Sequence, residues 1–111
     1  MGAAVTVAPP VAVDGVDELL EVFVPGLFDA AAFAGRGETA HLHATDAEGE
    51  WLLRFSAEGI TVTPEHAKGD VAARGPAQDL LRLMWGRPPG PELAVFGDAG
   101  VLDRYRAAGR Y

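Results

Sequence analysis

Hydrophobic positions near the start of the chain recur at helical spacing. Val16, Leu19, Leu20 and Phe23 fall at i, i+3, i+4 and i+7, the mark of one apolar helical stripe. Asp14 stands just ahead of them and Asp17 follows three residues later, close to a capping box, which predicts a helix starting at Asp14. Asp17, Glu18 and Glu21 lie off the stripe. Residues 1–13 are rich in Ala, Val and Pro, lack a basic start and are interrupted by Pro9-Pro10. They read as an extended arm rather than a signal peptide. Pro25 cannot donate a backbone hydrogen bond, so the helix is expected to kink or end there. Leu27, Phe28 and Phe33 continue the apolar content up to the turn Gly35-Arg36-Gly37.

The period then changes to two. Between Thr39 and Thr45, Ala40, Leu42 and Ala44 share a face. Between Glu50 and Ser56, Trp51, Leu53 and Phe55 share one face, with Leu52 and Arg54 on the other. Ile60 to Thr63 alternates as well. The turns Asp46-Ala47-Glu48-Gly49 and Ala57-Glu58-Gly59 separate these runs, so the pattern predicts an antiparallel meander. Pro64 ends it. After a loop to Gly69, Asp70–Arg74 reads as a short fourth strand. Gly75-Pro76 opens a helix whose stripe is Ala77, Leu80, Leu81 and Met84, with Gly86 as its C-terminal cap. Leu93–Phe96 is a last strand candidate. Asp98 caps a final helix with Val101, Leu102, Tyr105 and Ala108 on one face. Together these elements predict an α+β domain over residues 14–111, a mostly antiparallel sheet of about 4–5 strands with helices packed on one face.

Composition narrows the function classes. The net charge is -7, so neither a nucleic-acid footprint nor a polybasic lipid patch is present. No apolar run approaches the ~20 residues of a membrane span. The absence of cysteine excludes disulfides, thiolate metal sites and thiol nucleophiles, and fits a reducing, cytoplasmic setting. Lys68 is the only lysine against eight arginines, a bias typical of GC-rich, actinobacterial-like genomes.

Few residues point to chemistry. His41 and His43 are two apart on a strand and point to the same face, and His66 is a third potential ligand. No carboxylate sits at ligand spacing beside them in the sequence, so no metal site is assigned. Arg54 is expected to share that polar face, where two histidines and an arginine suit a carboxylate; the alternative is solvated surface or a dimer contact. Arg87, between a helix cap and Pro88-Pro89, suits anion binding or neutralisation of the helix C-terminus. Trp51, Phe55, Leu81, Met84 and Trp85 supply the large apolar volume, as core or as the wall of a ligand pocket. Ser56 is the only serine, and neither a nucleophile elbow nor a phosphate-cradling loop occurs. No cofactor is expected in this chain, and no complete active site.

Several stretches together resemble the C-terminal domain of the mycothiol-dependent maleylpyruvate isomerase family. They are His41-Leu42-His43-Ala44-Thr45 with Gly49-Glu50-Trp51, Glu65-His66-Ala67-Lys68-Gly69-Asp70-Val71, Gly75-Pro76-Ala77 through Leu80-Leu81 to Trp85-Gly86-Arg87, and Val95-Phe96-Gly97-Asp98. The resemblance implies a sterol-carrier-protein-like fold, in which a small apolar or amphipathic ligand lies between sheet and helices. In that family the metal-binding residues belong to a preceding DinB-like helical bundle that these residues do not match. The implied roles are a stand-alone non-catalytic carrier-like module or an accessory half that needs such a bundle as partner. In the second case Arg87, Arg104 or Arg106 is the expected active-site arginine. A homodimer is a further expectation for a sheet with open edges.

Overall fold

The structure, a computed structural model, describes residues 8–111. It begins with helix α1, Pro9–Glu18, a π-helical turn Leu19–Phe23 and two short helices, α2 (Val24–Leu27) and α3 (Ala30–Phe33). Strands β1 (Thr39–Ala44), β2 (Glu50–Ser56), β3 (Gly59–Thr63) and β4 (Val71–Gly75) follow, then helix α4 (Ala77–Met84), strand β5 (Ala94–Gly97) and helix α5 (Gly100–Ala107).

Helix α1 starts earlier than the capping pattern suggests. Pro9 and Pro10 occupy its first turn, where a missing N–H costs nothing and the fixed φ favours the helix. Residues 9–13 are therefore helical, not an extended arm, while the rest of that expectation lies outside the described residues. Gly15 falls mid-helix because Leu81 of α4 packs over it, only 3.2 Å from where a Cβ would stand. Asp17 does not cap a helix; its Oδ1 accepts a 2.7 Å hydrogen bond from Trp51 Nε1 and ties α1 to β2.

The π turn adjusts the helix to Pro25. Val24 N–H reaches back to Leu19 O, one residue further than an α-helical bond. This shifts the apolar face. Val16, Leu19, Leu20 and Val24 are buried, whereas Phe23, the expected fourth member of the stripe, is exposed and packs on Trp85 with ring centroids 5.8 Å apart.

The five strands form one sheet in the order β3-β2-β1-β4-β5. The first three make the expected meander. The central pair β1–β4 is parallel, so the sheet is mixed although most pairs are antiparallel. Register explains how so short a link joins parallel strands. Thr63 lies opposite Leu52, Leu52 opposite His41, and His41 opposite Ala72. Strand β4 thus begins at the level where β3 stops, and the Pro64–Asp70 segment has only to move sideways. It covers three strand spacings, ~14 Å, well within its reach at roughly 3.3 Å per residue.

The helices and the inward strand residues enclose one core. Leu42, Leu53, Phe55, Val71, Leu80, Leu83, Met84, Val101 and Tyr105 are fully buried. Each such large side chain contributes about 1.5–3 kcal/mol by transfer from water. In α4 the buried stripe is Ala77, Leu80, Leu83 and Met84, while Leu81 sits at the margin against α1. Gly86, with φ +81°, ends that helix; its N–H bonds Leu83 O and the Arg87 N–H bonds Arg82 O, a Schellman cap. The C-terminus folds back, with Tyr111 stacked on Tyr105 at 4.7 Å and its hydroxyl donating to Tyr105 O.

Acidic side chains hold the layers together. Asp46, in the β1–β2 turn, accepts a 2.9 Å bond from Ala77 N at the start of α4, a cap that Pro76 cannot supply itself. Glu38 Oε2 accepts from Arg104 Nη1 at 2.6 Å, and the same guanidinium lies 4.3 Å over the Phe33 ring and bonds Phe33 O. The Arg36 N–H, Glu38's own N–H and Arg104 hold the Glu38 carboxyl at about 2, below its ordinary 4.5.

Two outcomes follow from these contacts. Asp46→Ala should lower unfolding stability by about 1 kcal/mol, the worth of a helix cap, in urea titrations; a change within error would show that the cap is idle. The unfolded chain protonates Glu38 near pH 4.5, while the folded chain resists until about 2. The stabilisation is therefore complete above the first value and lost as pH falls toward the second. Glu38→Gln should be less stable at neutral pH and lose less stability across that window; parallel pH–stability curves would overturn the assignment.

Candidate functional site

The face of the sheet opposite the helices carries a polar cluster. Alternation points Thr39, His41 and His43 of β1, Glu50, Leu52 and Arg54 of β2, and Ala72 and Arg74 of β4 to this side, and register aligns them across the strands. His43 pairs directly with Glu50. The Pro64–Asp70 segment crosses this face because the helices fill the other, and it delivers His66 onto the strand pair.

Three imidazoles therefore converge on one carboxylate oxygen. His41 Nε2 is 2.7 Å from Glu50 Oε1, His66 Nδ1 makes a closer contact with the same atom, and His43 Nδ1 is 3.6 Å away. The three rings lie with centroids 5.1–6.1 Å apart. His41 is the buried member, His43 and Glu50 are half-buried, and His66 is exposed. Burial would raise the Glu50 carboxyl, but hydrogen bonds from His66 and His41 and the nearby charge of His66 and His43 outweigh it, leaving the net value below the ordinary one.

The crossing segment is fastened beside the cluster. Asp70 Oδ2 accepts from Thr39 N at 2.9 Å, and Asp70 N donates to Thr39 Oγ1 at 3.0 Å. Gly69 lies so close to β1 that a Cβ would stand 3.0 Å from His41 N and 2.8 Å from Val71 O. Only glycine allows that approach. Next to His66 the surface opens into a cleft of about 400 Å³ bordered by Lys68, Ala72 and the exposed Phe96.

The other candidate residues are dispersed. Arg54 does share the outer face, but it stands across from Thr39, two pairs along from His41, and is exposed. Glu50, not Arg54, completes the histidine group. Phe55 and Met84 are fully buried in the core and Trp51 nearly so, Leu81 is half-buried, and Trp85 is exposed. Of these five, Trp51 borders a hollow of about 420 Å³ between the first helices and the sheet, together with Leu20, Val62 and Pro64. A second gap, a pocket of about 160 Å³ between the π turn, α2 and β3, is walled by Leu20, Val24, Phe28 and Ile60 with Glu58 at its edge and touches none of the five. Arg104 and Arg106 are engaged by Glu38 and Asp103. Arg87 instead borders a surface hollow with Arg82, Trp85 and Tyr111.

This architecture, five mixed strands with helices on one face, defines a sterol-carrier-like fold. A solved structure titled "UbiJ-SCP2 Ubiquinone synthesis protein" superimposes with a TM-score of 0.64 at 23% identity, over 89% of this chain and 93% of that one. The stereoselective inverting sec-alkylsulfatase from Pseudomonas sp. matches with a TM-score of 0.63 at 15% identity, over 76% of this chain but only 14% of the enzyme. At these identities the likeness is one of fold. No curated protein is similar enough in sequence to stand as a relative. The MDMPI C-terminal domain model matches residues 10–104, and the chain belongs to that family. Among the described residues no helix is long and apolar enough to cross a membrane.

Proposed function

We propose that this chain is a non-catalytic, sterol-carrier-like binding module that takes the apolar end of a small amphipathic molecule into the gap between the helical layer and β3. The supporting observation is the pocket walled by Leu20, Val24, Phe28 and Ile60. The core beneath it is filled by Phe55 and Tyr105, so a ligand enters from the β3 edge. A volume of about 160 Å³ is below the ~300 Å³ of ordinary drug-sized sites, which suits a short alkyl chain or one ring rather than a whole sterol. Glu58 at the rim favours a neutral or cationic head group.

Titration with hexylamine should shift the backbone amide resonances of Leu20, Gly59 and Ile60. Ile60→Trp, which fills the pocket mouth, should weaken binding at least about tenfold, the equivalent of 1.4 kcal/mol. Shifts that are absent, or that survive the substitution, would sink this reading. A ligand of a few hundred daltons retained by gently purified protein in native mass spectrometry would name the natural class.

A second reading, as the accessory half of a mycothiol-dependent isomerase or transferase, draws on Arg87. Unlike Arg104 and Arg106 it forms no ion pair with a carboxylate among the described residues, and it stands with Arg82 beside exposed Trp85. Exposed Val22 and Phe23 extend that patch. On this reading the chain alone does not turn over maleylpyruvate with mycothiol, mixing with a metal-loaded DinB-like bundle restores turnover, and Arg87→Ala reduces it by about tenfold or more, as loss of a charge-assisted contact would. Unchanged turnover in the reconstituted Arg87→Ala protein would remove Arg87 from the site.

A further inference from the structure

We infer that His41, His43, His66 and Glu50 form a binding site for a divalent transition-metal ion, with Zn²⁺ the best chemical match. This site lies on the sheet face opposite the apolar pocket and does not depend on the ligand-binding role proposed above.

One ligand atom from each of the four residues lies within 4.8 Å of the others. Tetrahedral zinc with bonds of about 2.0–2.1 Å places its donors ~3.3 Å apart. The 2.7 Å and 3.6 Å separations of His41 and His43 from Glu50 Oε1 bracket that spacing. A small withdrawal of the Glu50 carboxylate opens the centre.

The proton count also favours a cation. Nitrogens of three imidazoles face one oxygen, and each must be an N–H to interact with it favourably. One carboxylate oxygen cannot accept all three with good geometry. A dipositive ion replaces those hydrogens, takes the nitrogen lone pairs and keeps the carboxylate as its fourth donor. Three imidazoles and one carboxylate are a borderline donor set that suits zinc rather than magnesium or calcium.

The site is also built rather than incidental. Three of its ligands sit on the paired strands β1 and β2, and the fourth is carried by a segment fixed through Asp70, Thr39 and Gly69. Four protein donors close the coordination sphere, so the ion's role is to clamp the Pro64–Asp70 crossing to the sheet rather than to activate water.

The chain has three histidines and no cysteine, so histidine-dependent metal binding reports on this site alone. Full-length protein without an affinity tag, stripped by chelator, should be titrated with Co²⁺ and then with Zn²⁺. The expected result is one Co²⁺ per chain with the intense visible absorption of a tetrahedral centre, displaced by one equivalent of Zn²⁺, and a Zn²⁺-dependent rise in Tm. His66→Ala and His43→Ala remove side chains that reach solvent, and circular dichroism checks that both variants fold. Each should weaken binding about a hundredfold, since even outer-shell changes cost about 10–100-fold. Absence of a saturable one-to-one complex, or affinity unchanged in both folded variants, overturns the assignment.

Discussion

The parallel pairing of β1 with β4 governs much of this molecule. It forces the chain, after completing a meander, to pass from one edge of the sheet to the far side of its first strand. Helices α1, α4 and α5 occupy one face, so the passage lies across the other. The offset between β3 and β4 shortens the route enough that no crossover helix is needed. From that single constraint come the glycine pressed against β1, the Asp70–Thr39 anchor and the delivery of His66 to the strand pair. The outer face acquires its chemistry as a by-product of topology.

The acidic surplus has a structural side. Asp17, Asp46, Glu38, Glu50 and Asp70 each accept a hydrogen bond from a residue distant in sequence. They connect α1 to β2, the first hairpin to α4, the segment before β1 to α5, and the crossing segment to β1. A charged acceptor makes a stronger hydrogen bond than a neutral one, and in a domain of 111 residues with one small core such ties matter to the relative placement of layers.

The strands were the most legible part of the sequence. Alternation around Leu42 and Leu53 and the glycine-containing turns mark the strands, and Val101, Leu102, Tyr105 and Ala108 mark the last helix. The first helix was harder to read. Pro9-Pro10 looks like a break but forms a first turn, and Gly15 looks like a cap but makes room for Leu81. The histidine group was half legible. Residues 41 and 43 share a face by period alone, yet Glu50 is not near them in the chain. The four-residue turn read at 46–49 would set Glu50 opposite Thr45, on the histidines' face, and only the observed register, two residues shifted, sets it opposite His43. His66 required knowing that β4 lies beyond β1, which no local pattern encodes. The apolar pocket escaped notice because a cavity is a property of what neighbouring side chains fail to fill.

The π turn at Leu19–Phe23 amounts to a helix carrying one residue more than its partners can use. Leu19 and Val24 both face the core, five positions apart, where an ordinary helix would take four. The surplus is accommodated by turning Val22 and Phe23 outward. The molecule thereby exchanges helical regularity for an apolar outcrop beside Trp85. Oil-like surface there is a mark of chain length rather than of core composition, and it gives this helix a second apolar face that the rest of the fold meets only in part, through the Phe23–Trp85 contact.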